Sequence, residues 1–219
     1  MNTQTLEHIS KHLIFLFIAV SCFALKSNAQ ITTMEKKAII LPEIDSSFEK
    51  FDIEEFNERK KNRLTHEQKN DSLTIYTGGN AGYSIAIYLT NSYFGIVKNY
   101  YKKNGNIEIK GISFNHGSEY GIWYKFDEQG NLIETIDTDA GYDFTWEQVI
   151  HYCEENKIKL IKGYKRSGFK TKIYKEESEE GNKIWVITYQ ISGDQLIELT
   201  LDGKTGEELK RKEIGFINH

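Results

Sequence analysis

Proline occurs once in the 219 residues and cysteine twice. The single proline, Pro42, leaves no Pro-rich linker to divide the chain. Cys22 falls within the first thirty residues and Cys153 stands alone beyond them, so removal of that segment would leave no partner for an internal disulfide. Stability must then come from core packing. An excess of positive charge is missing too: 28 basic against 32 acidic residues give a formal net charge of −4. That balance lacks the basic face a nucleic acid or an anionic membrane surface requires. Apolar runs of about 18 residues, long enough to span a bilayer, are absent.

What is present begins with a leader. Lys11 precedes an apolar run from Leu13 to Val20, and Ser27-Asn28-Ala29 forms a small-x-small site. The pattern predicts a signal peptide over residues 1–29, cleavage between Ala29 and Gln30, and an exported chain, periplasmic or secreted. Ala19-Val20-Ser21-Cys22 offers a second processing route. It resembles the lipobox of bacterial lipoproteins, which implies a lipid anchor on Cys22.

Downstream, the 13 Tyr and 12 Phe suggest an aromatic β core. Residues 30–72 read as a lead-in with a short helix near 47–60, because Ile44, Phe48 and Phe51 recur at helical spacing. The basic cluster Arg59–Arg63 suits the C-terminal end of that helix. Residues 73–143 turn to β. The runs Leu73–Thr77 and Tyr83–Leu89 flank Gly78-Gly79-Asn80-Ala81-Gly82, which predicts a hairpin. A phosphate-binding loop is excluded, since no Gly-Lys-[Ser/Thr] follows and a strand comes next.

An internal repeat follows. Phe94-Gly95-Ile96-Val97 is echoed 26 residues on by Tyr120-Gly121-Ile122-Trp123, and Gly105-Asn106-Ile107 is echoed 25 on by Gly130-Asn131-Leu132. Each unit reads as strand, Gly-Asn turn, strand, and cannot bury its own face without neighbours. Over residues 94–137 the pattern resembles MORN-type repeats of the bacterial variant. That resemblance implies hairpins serving as a scaffold or interaction surface, with no shared catalytic residue.

Residues 144–219 predict a helix near 146–157 and then three strands, Thr171–Glu176, Lys183–Ile191 and Gln195–Leu201. Thr145 and Gln148 form a capping box, and Trp146, Val149, Ile150 and Cys153 share one helix face. Asp202-Gly203-Lys204-Thr205-Gly206-Glu207 closes the last strand with a turn. Over 144–210 this resembles a PepSY-type module, which implies contact with, or inhibition of, a peptidase. The fold class expected is α+β: hairpins in an antiparallel sheet, then a helix on a three-stranded antiparallel sheet.

Chemistry-bearing constellations are few. Asp137, Asp139 and Asp143 match three positions of a calcium loop, but Gly141, Tyr142 and Gln148 stand where its acidic ligand, turn glycine and bidentate carboxylate belong. His151 and Cys153, two apart on a helix, point about 200° apart, so the imidazole is badly placed to take the thiol proton. His66, His116 and His219 have no ligand spacing. Lys98-Asn99-Tyr100-Tyr101-Lys102-Lys103 reads as a lysine-protected edge strand. No catalytic residue, metal site or cofactor is nominated. The expectation is an exported, non-catalytic module that binds a protein; the alternative is an immunity-like or structural envelope protein with the repeats as scaffold.

Overall fold

The structure, a computed structural model, describes residues 39–215. Its first sheet is a continuous meander of seven antiparallel strands in sequence order. They are β1 (His66–Gln68), β2 (Ser72–Gly78), β3 (Tyr83–Leu89), β4 (Phe94–Tyr100), β5 (Ile107–Phe114), β6 (Glu119–Phe126) and β7 (Leu132–Asp137). Hairpins account for the order, because each turn returns the chain beside the strand just finished. The Gly78–Gly82 segment makes the β2–β3 turn, with the Gly79 amide donating to the Gly82 carbonyl at 2.9 Å. The repeat units become two successive hairpins, β4–β5 and β6–β7, turning at Gly105 (φ +72°) and Gly130 (φ +90°), where a left-handed backbone favours glycine.

The helix α2 (Trp146–Glu155) starts as its capping box dictates: the Gln148 side chain accepts the Thr145 amide at 2.8 Å. Trp146, Val149, Ile150 and Cys153 are all buried on one face. A second sheet follows, β8 (Lys172–Glu177), β9 (Lys183–Ser192), β10 (Gln195–Asp202) and β11 (Glu208–Gly215), antiparallel in the order β11-β10-β9-β8. It has four strands, not the three expected. The Asp202–Glu207 turn is a hairpin bend rather than a terminus, with the Asp202 carboxylate accepting the Lys204 and Thr205 amides at 2.9 and 2.7 Å.

The lead-in also differs from expectation. The helix α1 runs Ile53–Lys61, capped by Asp52, whose side chain accepts the Glu55 amide at 2.8 Å. Residues 47–51 are not helical but form an extended strap across the first sheet: Ile107 donates its amide to Glu49, and Phe51 donates to Gly105 at 2.8 Å. The helical spacing of Phe48 and Phe51 was coincidental to this extended path. Phe51 is buried, while half-exposed Phe48 lies over Gly130.

Two aromatic clusters fill the interior. The larger draws Phe94, Ile112 and Phe114 from the first sheet, Trp146 to Cys153 from α2, and Trp185, Ile187, Leu199 and Leu201 from the second. Trp146 joins them, stacked on Phe114 at 5.4 Å and edge-on to Trp185 at 4.7 Å between ring centroids. The smaller cluster packs Phe51 and Phe56 on Tyr100, Ile107 and Phe126.

Candidate functional site

Side chains alternate along a strand, so the first sheet has two faces. One faces the strap, α1, α2 and the second sheet. It carries the lysines of β4 and β5, and here the edge-strand expectation for Lys98–Lys103 is overturned: β4 lies in the interior of the sheet, bonded to β3 and β5. Lys98 and Lys110 sit side by side in register and both reach Glu49 of the strap. The Lys110 side chain is 0% exposed; its Nζ donates to Glu49 at 2.6 Å and to the Ser47 carbonyl at 2.7 Å. Burial pushes the Glu49 carboxyl up, but hydrogen bonds and positive charge from Lys110 and Lys98 outweigh it and hold the group below its ordinary value. The lysines therefore fasten the strap rather than protect an edge.

The acidic connector is used the same way. Asp139 accepts Lys175 at 2.8 Å and the Gly121 amide at 2.9 Å, while Lys175 also donates to the Thr138 carbonyl and lies 5.6 Å from the Tyr142 ring centre. Its carboxylate is committed to bracing the two sheets. Among the described residues no group of three His, Cys, Asp or Glu converges on a point that could hold a metal ion. Cys153 is fully buried, and burial pushes its thiol up to about 12, which leaves no thiolate near neutral pH. His151 pairs with Glu155 at 3.1 Å, not with Cys153. His66 begins β1, and half-buried His116 sits in the β5–β6 turn, its pKa lowered by burial and by Lys170 and Lys172. Cys22, Ala29, Gln30 and His219 lie outside the described residues.

The opposite face holds the arrangement that sequence reading missed. The registers line up one residue from each strand in a single transverse row. His66 pairs with Ile75, Ile75 with Ala86, Ala86 with Val97, and Val97 with Gly111. The Trp123 indole lies over Gly111, where any Cβ would come within 2.3 Å of the ring, and donates to the Ile112 carbonyl at 2.9 Å. Trp123 in turn pairs with Ile136 on β7. The row crosses all seven strands and is apolar from Ile75 to Ile136. Ile75, Ala86, Val97 and Ile136 stay partly exposed, and no member joins either core cluster. Tyr164 lies beside the row, its ring 5.2 Å from that of Tyr88 on β3.

Polar side chains border the row. Thr77 and Ser84 share a hydrogen bond between their hydroxyls, and Lys125 pairs with Glu134 at 3.3 Å. Beside them a shallow hollow of about 510 Å³ lies under the β2–β3 turn, bounded by Asn99, Tyr100 and Glu108. An apolar stripe with a polar border is chemically suited to contact another macromolecule, since it offers area to desolvate and a rim to orient. The signal for it was present in the sequence as the alternation of β2 and β3. Only the register shows that six strands place their apolar residues level with one another.

No family model, no curated protein and no solved structure matches the chain.

Proposed function

We propose that the protein is an exported, non-catalytic module that binds another protein through the open face of its seven-stranded sheet. The observation that carries this is the apolar row from Ile75 to Ile136, which lies outside both core clusters and in which Ile75, Ala86, Val97 and Ile136 stay partly exposed around buried Gly111 and Trp123. Large open apolar surfaces on a folded chain mark interaction sites more often than chance, because leaving them wet forgoes burial energy. The leader over residues 1–29 supports export, with either Gln30 or a lipidated Cys22 as the mature N-terminus. The MORN-type likeness of 94–137 supports a hairpin scaffold used as a surface. The PepSY-type likeness of 144–210, a helix on an antiparallel sheet, supports a peptidase as the partner.

A capture experiment from envelope extracts tests the reading. Native protein is compared with the Ile75→Lys, Val97→Lys double variant, which places charge at two positions of the row without touching either core cluster. Folding is checked by circular dichroism. A partner retained by the native chain and lost by a folded double variant supports the proposal. Equal retention by both would assign the contact to another surface and overturn it.

A further inference from the structure

A sheet that does not close leaves strand edges whose unpaired backbone groups can take another strand. Among the described residues the two sheets have four such edges. β1 is three residues long. β8 is capped by the β5–β6 turn: Ser118 donates to the Ile173 carbonyl at 3.0 Å, Ile173 to the His116 carbonyl at 3.3 Å, and Lys175 to the Ser118 hydroxyl at 2.9 Å. That leaves β7 and β11, each hydrogen-bonded on one side among the described residues and exposed along nearly its whole length.

These two edges are complementary. β7 carries Glu134 and Asp137 beside Leu132 and Ile133, which are 45% and 55% exposed. β11 carries Lys210, Arg211 and Lys212 between Glu208 and Glu213, beside Leu209, 53% exposed. We propose that β7 of one copy pairs with β11 of a second copy, continuing the first sheet of one molecule into the second sheet of the next. β7, with Glu134 and Asp137, repels a second β7, whereas β11, in which three basic residues outnumber Glu208 and Glu213, attracts it, so the mixed pair is favoured over β7–β7 pairing. The charges are partly engaged within each copy: Arg211 grips Glu208 at 2.7 Å, Lys212 meets Glu198 at 2.7 Å, and Glu134 meets Lys125. Exposed pairs of this kind are weak and exchangeable, so they leave the edges free to re-pair.

Such a contact joins two different patches, and it builds an open chain or a ring rather than a symmetric dimer. A six-residue edge buries less than the ~800 Å² per partner of a standard interface, which puts the association in a weak, concentration-dependent range. The inference concerns the sheet edges and is independent of the open face, so its failure leaves the protein-binding proposal untouched.

Sedimentation velocity of the purified protein tests it, at low and at high salt over a rising concentration series. The expected result is a mean mass at least about two-fold above that of the monomer at low salt, falling back when salt shortens the screening length to a few ångströms. Two charge-reversed variants, Lys210→Glu with Arg211→Glu and Lys212→Glu, and separately Glu134→Lys with Asp137→Lys, should each stay monomeric and associate again when mixed. A native chain that stays monomeric throughout overturns the inference. So does self-association that persists in either folded variant alone, or that is lost instead in Val97→Lys.

Discussion

Lys110 is fully buried, and Glu49 from 61 residues earlier in the chain is what makes that tolerable. An ion pair in the interior barely repays the cost of desolvation, yet removing one partner strands the other. Glu49→Ala leaves Lys110 only the Ser47 carbonyl and, at 3.6 Å, Asp45, and is expected to lower the unfolding free energy by up to about 3–5 kcal/mol. Lys110→Met, which deletes the buried charge and leaves Glu49 bonded to Lys98, should cost less. Urea unfolding distinguishes the two. The pH dependence follows from the same carboxyl. Its folded pKa lies below its ordinary value of 4.5, so its stabilisation is present above about pH 4.5 and fades as pH falls through the lower folded value. That acid-sensitive part of the stability curve should vanish in Glu49→Gln. None of this could be read from local sequence, because the partners are distant and a lysine in an aromatic strand looks like edge protection until its carboxylate is found.

At the scale of elements, the sequence was legible wherever structure is set by neighbours along the chain. The glycine-rich turn after β2, the strand–turn–strand repeats and the capped helix α2 are local devices, and all appear where they were expected. β11 was missed because Glu208–Gly215 is mostly charged and shows no apolar alternation; its neighbour β10, not its own side chains, makes it a strand. The helix α1 was placed too early because Phe48 and Phe51 obey helical spacing while docking as extended chain. The transverse row depends on register in the same way. Gly111 is where it is most sensitive: a Cβ there meets the Trp123 ring at 2.3 Å. Gly111→Ala should cost about 1–3 kcal/mol by overpacking and should shift the tryptophan fluorescence as Trp123 is displaced from the row.

Over the whole molecule, residues 39–215 have one main core shared by both sheets rather than one core for each. Trp146 of α2 touches Phe94 and Phe114 of the first sheet and Trp185 of the second. Lys175 and Asp139 tie the same two sheets at their rim. The expected outcome is a single unfolding transition, with far-ultraviolet circular dichroism and tryptophan fluorescence coinciding. Two separated transitions would show that the sheets fold as independent units. The sequence hinted at this unity only by lacking a Pro- or Ser-rich linker between the two sheet regions; the aromatic contacts that enforce it link residues far apart in the chain.

The central claim is that one face of the seven-stranded sheet is left open for a protein partner. Site-specific photo-crosslinking in the producing cell tests it most directly, with the reactive group at position 97 in the row and, as the comparison, at exposed position 172 on the second sheet. The account predicts a discrete protein adduct from position 97 and none from position 172. No adduct from position 97, or the same adduct from both positions, would contradict it.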